Sequence, residues 1–135
     1  MESSPVTTHN PPDSFPTSYS HVVTVDGPAR LIYTAGQVGR DSNGQFAMGF
    51  ENQVRLAYEN LGRCLESVNA SPRDIVKLTW YIANYDPLQR AHVAINEAFL
   101  GGHRPAITLV PVPQLASPQM LFEVEAVAAI RDRAE

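Results

Sequence analysis

The sequence holds one cysteine, Cys64, in 135 residues, so no disulfide can form within the chain and nothing argues for an oxidising compartment. It also lacks a basic excess. Ten Lys and Arg stand against fourteen Asp and Glu, a formal net charge of −4, and the cations are spread thinly. Nucleic-acid binding draws much of its affinity from neutralised phosphates, which this balance does not favour. No apolar run approaches the roughly 18 residues that span a bilayer. The opening Met-Glu-Ser-Ser-Pro lacks the basic start and apolar stretch of a secretion signal. The expectation is a cytoplasmic protein with no membrane or nucleic-acid partner. A glycine-rich phosphate loop, an assignable Ser-His-Asp arrangement and metal-ligand spacing among the four histidines are also absent. No cofactor and no metal is expected.

What is present suits one domain. A chain this long buries roughly two-thirds of its unfolded surface, enough to fold without staples. Residues 1–16, with Pro5, Pro11, Pro12 and Pro16 among Ser, Thr and Asn, read as an extended arm rather than an independent element, docked near Phe15. Residues 17–135 form the single domain. His21–Val25 and Arg30–Thr34 flank the turn residues Asp26-Gly27-Pro28 and predict a hairpin. Asp41-Ser42-Asn43-Gly44 marks a second turn.

Val54, Ala57, Leu61, Cys64, Leu65 and Val68 recur at helical spacing, with Arg55, Glu59, Arg63 and Glu66 on the solvated side. Cys64 thus reads as a packed, inert thiol. Ser71-Pro72-Arg73-Asp74 is a capped turn, and Val76–Ala83 is β-branched and aromatic, a strand. Asp86-Pro87 opens a second helix whose apolar face is Leu88, Ala91, Ile95, Ala98 and Phe99, with His92 at the surface and Gly101-Gly102 as the stop. Ala106–Val112 and Leu121–Ile130 are the closing strands.

The order β-β-α-β-α-β-β gives an α+β fold, a mixed sheet packed on two helices. Two helices cover one face. Yet Leu121, Val127 and Ala129 lie opposite Phe122, Val124, Ala126, Ala128 and Ile130 on the last strand, so the second face also needs apolar cover. A symmetric copy supplies it economically.

Ser18-Tyr19-Ser20-His21, Thr34-Ala35-Gly36-Gln37-Val38, Gln53-Val54-Arg55, Asp74-Ile75-Val76-Lys77, Asn96-Glu97-Ala98-Phe99, Arg104-Pro105-Ala106 and Phe122-Glu123-Val124-Glu125-Ala126 follow one another in unbroken order. Together they resemble the Rid (YjgF/YER057c/UK114) family over about residues 17–130. The resemblance implies the chorismate-mutase-like fold, a homotrimer with interfacial clefts, and hydrolysis of reactive amino-acid-derived enamines and imines to 2-oxo compounds and ammonia. It also implies Glu123 as the catalytic, water-activating carboxylate, with Tyr19, Ala35 and Gly36 lining the pocket. Where the family carries an arginine after Pro-Ala this chain has Ile107, and where archetypal members carry cysteine it has Leu109. Arg104 is the candidate replacement that would hold a substrate anion.

Blander readings stand beside these. Glu123 shares its strand face with Glu125 and would serve as a solvated carboxylate. Ile107 and Leu109 suit either a pocket wall or plain core, Tyr19 could pack the first strand, and Arg104 could pair at the surface. Two other functions remain open: a Rid-fold pathway enzyme for a less anionic substrate, or a non-catalytic trimer that binds a small metabolite.

Overall fold

The structure, a computed structural model, describes residues 4–132. The chain forms strands β1 (Val6–His9), β2 (Val22–Val25), β3 (Ala29–Tyr33) and β4 (Gln37–Val38), helix α1 (Phe50–Glu66) and a 3-10 turn at Pro72–Asp74. Strand β5 (Ile75–Ala83), helix α2 (Ala91–Leu100), β6 (Ala106–Val112) and β7 (Phe122–Arg131) follow. The main sheet runs β3-β7-β5-β6 with β4 also on β7, and β5 pairs parallel with β6. It is the expected mixed sheet on two helices.

Two expectations for the N-terminal strands are corrected. The proline-rich arm is extended but contains an element: β1 pairs antiparallel with β2, Val6 opposite Val25 and His9 opposite Val22. Few apolar groups are needed, because polar side chains bridge the strands. His9 Nε2 lies 2.9 Å from Thr24 Oγ1, and Asp26 Oδ2 accepts from the Thr7 and Thr24 hydroxyls. Phe15 itself is 66% exposed, its ring touching only the edge of His21 among the aromatic contacts of the described residues.

The hairpin between β2 and β3 does not form, since β2 pairs with β1 and β3 with β7. The connection is built to part the two strands. Gly27 takes a φ of 80°, Pro28 offers no N–H to a ladder, and Arg131 Nη1 donates to the carbonyls of Asp26 and Pro28.

Helix α1 buries Val54, Ala57, Leu61 and Leu65 of the predicted stripe against β5 and β7, adds Tyr58 to it, and leaves Cys64 and Val68 only partly buried. The turn before β5 is closed as expected, Asp74 Oδ2 accepting from the Ser71 N–H at 2.8 Å. Helix α2 begins at Ala91, later than predicted, and ends at left-handed Gly101. Leu88 is left 90% exposed in the preceding turn, where Asp86 Oδ1 accepts its N–H. The buried residues of α2 are His92, Asn96 and Leu100, spaced four apart. His92 is therefore interior, at 2% exposure. The Leu88 phase hid that stripe because two of its three members are polar.

One of those polar members, Asn96, joins a hydrogen-bonded network behind the sheet. Tyr58 donates to Asn96 Oδ1 at 2.6 Å and accepts from Trp80 Nε1 at 2.9 Å. Burial pushes the Tyr58 phenol well above its ordinary pKa, the Trp80 bond only partly opposing it. His92 stands edge-on to Trp80 at 5.0 Å and Phe50 at 5.7 Å, and its Nδ1 has no hydrogen-bond partner among the described residues. Burial, helped by Arg90, lowers its pKa.

A histidine whose folded pKa is depressed binds protons more readily once unfolded. Stability is then full above the unfolded value, about 6.5, and is lost as pH falls from there toward the folded value. Melting temperatures measured from pH 7 to pH 5 are expected to drop for the wild type and to flatten in His92→Phe, whose ring fits the same aromatic slot. An equal slope in both would remove His92 as the cause.

No helix among the described residues is long and apolar enough to cross a membrane.

Candidate functional site

The sheet face away from the helices carries the candidate site. Directly opposed residues in adjacent strands share a face, so the register draws rows across it. One row reads Val38, Glu123, Tyr81, Val110. The next holds Glu125, Thr79 and Thr108, and a third Tyr33, Val127, Lys77 and Ala106. Leu31 and Tyr33 on the same side are 49% and 71% exposed. The expectation of uncovered apolar groups on the second face is met at β3, whereas Ala129 on that face is already buried within the chain.

Glu123 is half-buried in its row. Burial first, and Glu125 on the same strand face second, push its carboxyl above the ordinary carboxylate pKa. No cation pairs with either glutamate among the described residues; Lys77 Nζ donates instead to Thr108 Oγ1 at 2.7 Å. The carboxyl group of Glu123 lies directly over Gly36. A β-carbon there would come within 2.7 Å of Glu123 Cγ and nearer still to the carboxyl itself. Gly36 therefore makes room for the Glu123 side chain, and the two predicted site residues meet. Ala35 is exposed beside them, its carbonyl accepting from Gln37 Nε2.

Tyr19 and Arg104 form a second group. Arg104 Nη1 donates to the Thr17 carbonyl at 3.3 Å, and Thr17 Oγ1 donates to the Tyr19 carbonyl at 2.6 Å. Ser20, buried, anchors this segment through its N–H to the Pro105 carbonyl. Tyr19 packs edgewise on His21. No hydrogen bond or ion pair links this group to Glu123 among the described residues.

Ile107 and Leu109 do alternate onto one face, but it is the other one. They lie beside Leu78 and Trp80 and pack against the helix-covered core. Of the two readings open for them, core packing is the one the register produces. Tyr81, which the sequence reading passed over, is Glu123's immediate neighbour. Its parity opposite Leu78, Trp80 and Ile82 was visible; the register that seats it beside Glu123 was not.

Several hollows open among the described residues. One of about 620 Å³ is bounded by residues including Arg40, Phe46, Met48, Gln53, Gln119 and Leu121, and one of about 240 Å³ by Phe50, Ile82, Tyr85 and Leu121 among others. None of the predicted site residues lines either. No group of three or more His, Cys, Asp or Glu that could hold a metal gathers among the described residues.

A five-stranded mixed sheet with helices on one face, and a carboxylate seated against a glycine on the other, defines a small α+β protein with a candidate site on its sheet. The chain belongs to the Rid (YjgF/YER057c/UK114) family, matching over residues 10–130 the family described as Endoribonuclease L-PSP. A RutC family protein of Pyrococcus abyssi is 31% identical over 112 residues, 82% of this chain and 84% of that one. The rat 2-iminobutanoate/2-iminopropanoate deaminase is 31% identical over 113 residues, 82% and 79% of the two chains. A conserved Rid protein of unknown function from Yersinia pestis has a similar structure, with a TM-score of 0.84 at 28% identity, covering 93% of this chain and 99% of that one.

Proposed function

We propose that this protein hydrolyses reactive enamines and imines to carbonyl compounds and ammonia, with Glu123 as the acid-base group. The observation that carries the reading is the Glu123 carboxyl over Gly36, half-buried and raised in pKa, on a bare sheet face. A carboxylate so placed takes a proton from water as it attacks the C=N carbon, then returns it to the departing amine. The deaminase name of the rat relative supports this choice of reaction.

The working form in this reading is a homotrimer. Exposed Leu31 and Tyr33 flank the Glu123 rows, apolar surface that a second copy would cover. Clefts formed where copies meet would close over Glu123 and bring the Tyr19–Arg104 group to their rim. An RNA-cleaving reading is disfavoured by the net charge of −4.

The test generates an imine with an amino-acid or amine oxidase, traps what remains with semicarbazide, and follows loss of the semicarbazone. The protein is expected to lower the trapped fraction; a fraction equal to that without protein sinks the reading. Because the base must be ionised, the rate should fall as pH drops through the raised Glu123 pKa. The acid limb of the pH–rate profile is thus expected above the ordinary carboxylate range. A limb at or below that range would separate the activity from this carboxyl.

A further inference from the structure

A hollow of about 350 Å³ opens where the N-terminal arm meets the domain. Three segments far apart in sequence wall it: the arm with β1, the 3-10 turn at Pro72–Asp74, and the end of α2 with the residues after it. Glu123, Gly36, Tyr19 and Arg104 do not border it. Alternation along β1 decides which side chains reach it. Thr7 and His9 bond to Asp26 and Thr24, while Ser4, Val6 and Thr8, of the opposite parity, line the hollow.

The polar groups at this hollow are donors with little else to bond. Arg73, in the 3-10 turn, makes no hydrogen bond or ion pair among the described residues, and neither does the Thr8 hydroxyl make a hydrogen bond. The Ser4 hydroxyl oxygen accepts from the Val6 N–H at 3.1 Å and keeps its own proton free. His103 Nε2 lies 2.7 Å from the Ile75 carbonyl, which only accepts, so that nitrogen carries the proton and Nδ1 is left over. No carboxylate lines the hollow. Asp74, the acid of the neighbouring turn, accepts from the Ser71 N–H and hydroxyl. At the end of α2 the Glu97 and Leu100 carbonyls accept from the Gly101 and His103 N–H groups.

We infer that this hollow binds the phosphate group of a small organic phosphate, held by Arg73, His103, Ser4 and Thr8. The site is separate from the imine chemistry and does not depend on it. Arg73 supplies the charge and a fork of N–H donors, and the two hydroxyls donate from the arm. With Nε2 committed to Ile75, the His103 ring donates from Nδ1 in its charged form, which a bound dianion favours. These donors come from three directions. That arrangement suits a tetrahedral oxyanion better than a carboxylate, whose two oxygens share one plane. The hollow exceeds a bare phosphate, since a water takes about 30 Å³ of liquid, and the remaining space borders Val6 and Leu100, which suit a short carbon chain.

A ligand here joins the arm to the domain. Ser4 and Thr8 stand on one side of it, Arg73 and His103 on the other. Anything that binds only the folded chain stabilises it, and a ligand bridging these segments also slows local opening of β1. The chain as a whole carries a net charge of −4 and repels anions, so selectivity rests on the local cluster.

The experiment titrates the full chain into glycerol 3-phosphate and follows the phosphorus resonance, with thermal melts in glycerol 3-phosphate, inorganic phosphate or acetate at equal ionic strength. A saturable change of the resonance is expected. The melting temperature at about 10 mM glycerol 3-phosphate should stand about 3 °C above that in acetate. Stabilisation by excluded salts is common to all variants, so binding is read as the difference between the wild type and Arg73→Gln or Thr8→Val. Both side chains are exposed, and both variants are expected to melt like the wild type in acetate. Arg73→Gln should weaken the ester by at least about tenfold and Thr8→Val by about three- to tenfold. No saturable response, acetate bound as tightly as the ester, or wild-type affinity in both variants would each overturn the inference. Inorganic phosphate bound as tightly as the ester would overturn its organic part and leave a site for the phosphate group alone.

Discussion

Glu123→Gln is expected to reduce imine hydrolysis by about 10²–10⁴-fold, the range over which a positioned acid-base group acts, with little change in melting temperature. The amide keeps the shape of the carboxyl and removes its ability to accept a proton. Gly36→Ala should reach a comparable loss from the other side of the contact. Its φ lies outside the left-handed region that only glycine favours, so the effect is one of space and not of backbone strain. The added methyl would sit 2.7 Å from Glu123 Cγ, inside any tolerable carbon–carbon separation, and Glu123 must swing away. Displacement of a catalytic group by about 1 Å can cost about 10²-fold. Initial rates and thermal melts of both variants check this together. Full activity in Gly36→Ala would mean that the observed seat of the carboxyl is not the one that works.

The fold was legible where periodicity is strong and local. The α1 stripe from Val54 to Leu65, the capped turn at Ser71–Asp74 and the β6 limits all follow from spacing and from turn chemistry. The pairing of strands was not, because it depends on which edge finds which partner. Nothing within His21–Val25 or Arg30–Thr34 says that Val6–His9 will take the edge of β2, and Val6-Thr7-Thr8-His9 among prolines looks like solvent-loving arm. Parity along a strand was readable, while parity between strands was not. Ile107 and Leu109 therefore kept their common face but lost their place beside Glu123, and Tyr81 gained it. The Gly36–Glu123 contact came from family resemblance as two separate residues; only the β4–β7 register makes them neighbours.

Gln53→Leu is expected to be the most destabilising single change near the site, although Gln53 touches no candidate residue. The side chain is 3% exposed and fully used. Its Nε2 donates to the carbonyls of Ala47 at 3.1 Å and Gln119 at 2.9 Å, and its Oε1 accepts the Leu121 N–H at 2.8 Å. One amide thus ties the loop before α1 and the loop before β7 to the helix. The approach is so close that a β-carbon on Gly39 would lie 2.5 Å from Gln53 Cα. Leucine has nearly the same volume and none of the hydrogen bonds, leaving three main-chain groups without partners at about 1–3 kcal/mol each where water cannot reach them. Allowing for partial solvation of the loops, a loss of about 3 kcal/mol and a melting temperature lower by about 10 °C are expected. Leu121 lies two residues before Glu123, so its release should also loosen the start of β7. The imine-hydrolysis rate of Gln53→Leu at a temperature where it stays folded is then expected to fall by less than that of Gly36→Ala, since the carboxyl keeps its glycine seat. Gln53→Glu separates the two contributions: its carboxylate can still accept from Leu121 but repels the carbonyls of Ala47 and Gln119. Its melting temperature should therefore fall below the wild type's while the β7 start, and with it the rate, is better preserved than in leucine.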